Sequence, residues 1–354
     1  MRDYAQSGRN DYYSAFLVDP FTLNETGENI QLQDGSSSLT WNLYGDNILS
    51  GSLSMLNSTN NKKLVRIKHT MTFPDGETET ETLGTLFINN TGFNAKYKLV
   101  TRNLDCYSTY WRFTQDETMM DFFRLEGYNV VQAIRDIVEV DGGLLRVMPG
   151  VDVDKCFGND IWFERKTNRA TIINTMAGWI NAEITIDPDG YIVLQPYVSP
   201  NQKPIKYTFE SGVNCTYLSG LEYEKNLDGC YNRCVVAWST TDNSNVVFED
   251  LPASDPYSYE SIGRRVTNFI DLTEETSEED MRARAKDFLD RNHTSIEYVE
   301  IEAAYNPALK VGNVVRYINE TDYPSLISLK CMITQIDMTL DNGCMCKLKM
   351  KVVS

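Results

Sequence analysis

The chain has 354 residues, enough for two or three domains, each with its own core. Its 42% hydrophobic and 11% aromatic content argues against disorder, and no run of about 18 apolar residues occurs, so no membrane span is expected. The net charge of −17, from 50 acidic and 33 basic residues, counts against nucleic-acid binding through basic patches.

The acidic balance serves solubility, and a sharper reading is an acidic wall past which DNA slides without sticking. The first ten residues are polar, with no apolar stretch of signal-peptide length, so the chain is expected to be made and folded in a cytoplasm. The first hundred residues read as β structure. Ser14–Val18 is a short apolar run ended by Asp19-Pro20, and Glu25–Leu32 and Ser38–Leu43 flank a turn-rich segment. Leu64–Phe73 is a strand closed by Pro74-Asp75-Gly76, and its partner runs from Glu77 to Asn89. Tyr97–Asn103 supplies another strand, and such a series suggests a barrel or sandwich.

The middle changes character. Asn129 is placed to cap a helix over Val130–Val138, with Gln132 in the reciprocal capping position and Gly142-Gly143 beyond its end. A second helix is expected from about Arg169 to Asn181, with Ile172, Ile173, Met176 and Trp179-Ile180 turned inward. A hairpin over Ala182–Gln195 follows, turning at Asp187-Pro-Asp-Gly190. Pro196–Pro204 reads as a linker. Strands are then expected at Ile205–Phe209, Leu218–Glu224 and Arg233–Ser239, and Thr240–Glu260 as a polar loop.

Ser277 opens a last helix, reaching about Arg291, with Glu278, Glu279 and Asp280 at the positive end of its dipole. Ser295–Glu302 is a strand, and two long strands face each other across Asp341-Asn342-Gly343. In the final strand Lys347, Lys349 and Lys351 point one way and Cys346, Leu348, Met350 and Val352 the other.

Chemistry is sparse. The two histidines are His69, within a strand, and His293, at a helix end, with no Ser or Cys elbow motif near either. HExxH, P-loop and GxGxxG patterns are missing. Asp152/Asp154 and Asp187/Asp189 lack EF-hand spacing. The eight cysteines are Cys106, Cys156, Cys215, Cys230, Cys234, Cys331, Cys344 and Cys346. The spacings of Cys230/Cys234 and Cys344/Cys346 are not zinc knuckles, and no histidine is near them in sequence, so structural thiols are expected. Six Asn-x-Ser/Thr triplets, at Asn24, Asn57, Asn89, Asn214, Asn292 and Asn319, read as chance products of an Asn- and Thr-rich chain. No catalytic, cofactor-binding or metal-binding residue is assigned.

Four stretches together resemble the tail or baseplate hub proteins of long-tailed bacteriophages and related contractile injection particles. They are Ile48–Met55 with the strands ending at Leu83–Asn89; the approach to Leu104-Asp105-Cys106; the helix and Gly-Gly unit of Val130–Gly143 with its following helix and hairpin; and the C-terminal helix, strand, Pro307-to-Gly312 segment and closing hairpin. The resemblance implies a β-rich α+β chain: a tail-tube-like β-barrel over 1–104, an α/β module over 105–204 and a second barrel over 205–354. It implies a homotrimer whose ring joins the tail tube or distal tail protein to the tail spike or tip protein, with a bore that passes DNA and the tape-measure protein. The virion tail, assembled in the host cytoplasm, is then its place. Some relatives continue into an endopeptidase or lysozyme-like region, and an end at Ser354 suggests a hub without such cargo. A carbohydrate- or receptor-binding adhesin, using the 20 tyrosines and 5 tryptophans, and a cell-wall hydrolase are the competing readings.

Overall fold

The structure is a computed structural model that describes residues 4, 8–33, 35–43, 45, 47–56, 64–96, 99–140, 142–212, 215–218, 222–227, 229–239, 243–272, 277–292, 296–318 and 328–353. Two compact units divide the chain, the first comprising residues 1–220 and 300–354, the second residues 221–299. Tyr97, His293, Asn57, Asn214 and Asn319, singled out above, lie outside the described residues.

The first unit opens with β1 (Asn10–Val18), β2 (Glu25–Ile30), β3 (Ser38–Asn42), β4 (Leu49–Leu56), β5 (Leu64–Thr72), β6 (Thr78–Lys96) and β7 (Leu99–Ser108). Alternation explains β1: Asp11, Tyr13, Ala15 and Leu17 are buried and the residues between them are not. The β5–β6 turn forms where the sequence places Pro74-Asp75-Gly76, with the Gly76 amide bonded to Phe73 O (2.9 Å) and Gly76 at φ +83°. β6 runs well past Asn89, to Lys96.

Next come α1 (Trp111–Gln115), β8 (Phe122–Arg124), α2 (Val130–Val140), β9 (Leu145–Val147), β10 (Ile161–Phe163), α3 (Arg169–Trp179), β11 (Ala182–Ile186) and β12 (Ile192–Pro196). Asn129 Oδ1 accepts from the Gln132 amide (2.9 Å), as a cap should, but the Gln132 side chain donates to Asp136 Oδ1 (2.9 Å) instead of reaching back. Asn168 caps α3, accepting from the Ala170 and Thr171 amides. Ile172, Ile173, Met176 and Ile180 are buried as expected, whereas Trp179 remains partly exposed, edging Phe157 and stacking on Phe163. β9 adds in parallel to β12 of the expected hairpin. One apolar core joins these helices and strands, centred on Phe113, Ile134, Val138, Ile173, Met176 and Leu194.

The Asp187–Gly190 turn is clasped by the N-terminal strands. Arg66 donates to Leu23 O (3.0 Å) and Asp189 O (2.8 Å), Thr85 donates to Pro188 O (2.9 Å), and Thr109 donates to Gly190 O (2.8 Å).

β13 (Ile205–Glu210) follows. The second unit then holds β14 (Glu222–Asn226), β15 (Arg233–Ser239), β16 (Ser244–Asp250), α4 (Tyr259–Ile262), β17 (Thr267–Leu272) and α5 (Glu278–Asn292). The segment read as a polar loop is therefore largely ordered. β16 pairs with β15 in continuous register from Arg233–Asp250 to Ser239–Ser244, because Val246, Val247 and Phe248 supply strand residues that the flanking polar positions obscure. β17 lies parallel on the other side of β15. Helix α5, capped by Ser277 Oγ on the Asp280 amide (3.1 Å), covers one face with Met281, Ala285 and Leu289 against Cys234, Val236, Trp238 and Val247. β18 (Ile296–Ala304) crosses the boundary between the units in sequence, and β19 (Val314–Ile318), β20 (Ser328–Thr339) and β21 (Met345–Val352) complete the first unit.

Both β-rich ends of the chain share one sheet. Strand β20 pairs with β21, with β19 and, through Gln335–Thr339 against Ser38–Asn42, with β3. From there the order continues β3-β4-β7-β6-β5-β1-β2. Among the described residues these pairings form an open path, so the architecture is β-rich α+β.

Candidate functional site: a buried ionic cluster and two open apolar faces

Asp11 and His69 occupy inward positions of two alternating strands, where a polar group must find a buried partner. Strand register brings the group together. Tyr13 stands opposite His69 across β1–β5, and Glu81 opposite it across β5–β6. The Tyr13 and His69 rings stack with centroids 4.7 Å apart, and Tyr305 tilts against the imidazole at 5.4 Å. His69 Nε2 meets Asp11 Oδ1 at 2.7 Å, and Nδ1 lies 3.6 Å from Glu81 Oε1.

Residues more than 300 positions later close the cluster. The Gly343 amide donates to Asp11 Oδ2 (3.2 Å), and Asn342 Oδ1 accepts from the Asp11 amide (3.1 Å). Arg9 Nε lies 3.1 Å from Asp11 Oδ1 while its terminal nitrogens reach the carbonyls of Tyr305 (3.0 Å) and Cys344 (3.4 Å). Asp11, His69 and Cys344 are all buried, and one donor atom of each lies within 4.8 Å of the others. The histidine that sequence proximity does not bring to the Cys344/Cys346 pair is supplied by the fold.

Burial opposes charge on His69, but the hydrogen bond to Asp11 and the Glu81 carboxylate outweigh it, and the imidazole pKa is pushed up to about 9. Burial likewise works against the Asp11 carboxylate, yet His69 and Arg9 hold it below its ordinary value. Burial raises the Cys346 thiol well above its usual range. For Cys344 burial is overcome by the Cys346 thiol and the His69 charge, which lower it.

This geometry is a poor nucleophile site. Asp11 takes Nε2, Cys344 Sγ donates to Met338 Sδ (3.2 Å), and an imidazole held in its charged form by the acids around it has no lone pair to accept a thiol proton. The side chains of Asp11 and His69 have 0% exposure, which leaves no room for a substrate. A separate cleft of about 250 Å³ brings, among the described residues, only Glu183 and Lys203 as charged groups to its wall. Asp187 is occupied by the Tyr191 amide and Arg146, and Asp152 accepts from the Asp154 amide, as turn residues do.

Two faces carry exposed apolar side chains. In the first unit Phe123 and Trp162 stand opposite each other across β8–β10 at 47% and 61% exposure. In the second unit, on the face away from α5, Val235 lies in register between Phe248 and Phe269, which are 52% and 68% exposed. Sequence reading missed both rows because their alignment depends on strand register.

No family model and no curated protein matches the chain. Solved structures do. A tail protein from Neisseria meningitidis MC58 has a TM-score of 0.67 at 11% identity over 96% of each chain. The 43 kDa tail protein of prophage MuSo2 from Shewanella oneidensis has a TM-score of 0.65 at 12% identity, over 96% of this chain and 98% of that one. An E. coli component of the type VI secretion system, itself similar to T4 bacteriophage tail proteins, has a TM-score of 0.52 at 8% identity, over 93% and 76%. These are likenesses of fold across nearly the full chain, and this protein shares the fold of these tail proteins.

Proposed function

We propose that the chain is a structural, non-enzymatic subunit of a phage-type tail, three copies of which close into a hub ring between the tail tube or distal tail protein and the spike or tip protein. In this reading residues 1–104 and 205–354 supply tube-like walls, and residues 105–204 form the module beside them. The observation that carries it is the correspondence in fold with tail proteins over 96% of the chain. Three further features support it. Exposed aromatic rows on two faces are unusual for a free monomer and suit a subunit with neighbours. Open strand edges at β2 and β13 are closed by adjacent copies in a ring. The net charge of −17 suits a bore that passes DNA and the tape-measure protein without holding them.

Disrupting the gene in the phage or prophage tests this reading. Heads without completed tails support the hub. Complete tails that fail to adsorb point to the adhesin reading instead, and fully infective particles contradict both.

A further inference from the structure

The buried cluster holds more donor chemistry than a salt bridge requires. We propose that Asp11, His69, Cys344 and Cys346 form a structural site for a zinc-class divalent cation that ties the first strand to the last hairpin. The donor set of imidazole, thiols and carboxylate suits zinc and its transition-metal neighbours better than magnesium or calcium, which take oxygen.

Four-coordinate zinc, with bonds of about 2.0 Å to nitrogen and 2.3 Å to sulfur, sets its ligand atoms roughly 3–4 Å apart. The Asp11, His69 and Cys344 donors already lie within 4.8 Å of one another, so side-chain rotation suffices to close them. Cys346, buried two residues beyond Cys344, is the fourth donor on this proposal and has to be brought in by rotation of its side chain, its sulfur lying outside the 4.8 Å group.

The surroundings match an outer shell. Metal-bound histidines commonly donate their second nitrogen to a carboxylate. With Nε2 turned to the metal, His69 Nδ1 faces Glu81 Oε1 at 3.6 Å, and among the described residues neither of these buried atoms has a hydrogen-bond partner. Arg9 and the Gly343 amide fix the Asp11 carboxylate from outside. The Tyr13 hydroxyl is also buried without a hydrogen-bond partner among the described residues. Binding releases the Nε2 proton of His69 and both thiol protons to solvent, and the dication with Arg9 balances the carboxylate and two thiolates.

Because the site is buried, it fills as the chain folds. The full-length protein is therefore produced in medium supplemented with zinc or with cobalt, and its metal content and absorption spectrum are measured. About one metal per chain is expected, with the cobalt form showing thiolate-to-metal charge transfer and the intense visible bands of a tetrahedral site. Cys346→Ser should weaken the charge-transfer band by roughly half, and Cys344→Ser should lower metal content several-fold. Folded wild-type protein with less than about 0.1 metal per chain overturns the proposal, as does metal content unchanged by Cys344→Ser. The wild-type measurement needs no variant to fold.

Discussion

Thr40 Oγ1 donates to Asp337 Oδ1 at 2.7 Å, joining β3 to β20 across 297 positions of sequence. The pair sits in register within the ladder that makes the two β-rich ends one sheet. Thr40→Val keeps the shape and removes the donor, while Gln335 Nε2 still serves the other carboxylate oxygen (2.7 Å). The expected cost is about 1–2 kcal/mol, read as a lower urea midpoint at unchanged slope. An unchanged midpoint would mean that the hydroxyl adds nothing to the seam.

Gly190 combines a positive φ of +96° with close contacts, since an added Cβ would lie 3.1 Å from Thr109 Cγ2 and Thr85 Cβ. Gly76 has φ +83° and open space around it. Gly190→Ala should therefore cost more than Gly76→Ala, which bears only the conformational penalty of about 1 kcal/mol. Equal shifts in Tm would show that the docked turn yields without strain.

Asp136 accepts from Tyr128 Oη (2.7 Å), Arg124 (3.0 Å) and Gln132 (2.9 Å). Partial burial works against its charge, but these bonds outweigh it and hold the carboxyl below its ordinary value. A depressed folded pKa gives stability that is present above the unfolded value of about 4 and is lost as pH falls through the folded value. The Tm gap between wild type and Asp136→Asn should be full at neutral pH and narrow below about pH 4. A gap independent of pH would refute the linkage.

How much of this was legible in the chain depends on the range of the interaction. Local signals worked: Asn129 and Ser277 cap helices, and the Pro74-Asp75-Gly76 and Asp187–Gly190 turns form where their residues place them. β16 was hidden because Asn243, Ser244 and Asn245 and two nearby prolines outweigh three apolar residues in a local reading. Trp179 was assigned inward by periodicity, yet it ends its helix and packs edgewise while still partly exposed. The buried cluster needed the fold, since Asp11 and His69 come from separate strands and Cys344 from the connection before β21, and each has an ordinary local explanation. A polar residue on the apolar face of an alternating strand was the available signal.

Phe248 and Phe269 flank Val235 on the exposed face of the second unit. If a neighbouring copy covers this row, Phe248→Ser with Phe269→Ser should leave the Tm of the isolated protein nearly unchanged and sharply reduce its incorporation into tails. A large loss of Tm would instead mark the row as part of the monomer's own core.

The central claim is closure of a tail ring by copies of this chain, and a cryo-electron microscopy reconstruction of intact particles tests it most directly. Density for three copies around the tail axis, with the β3–β20 sheet forming the wall of an open bore, is the predicted result. Tails whose hub density is fully accounted for by another protein, with this chain missing from the particle, would contradict it.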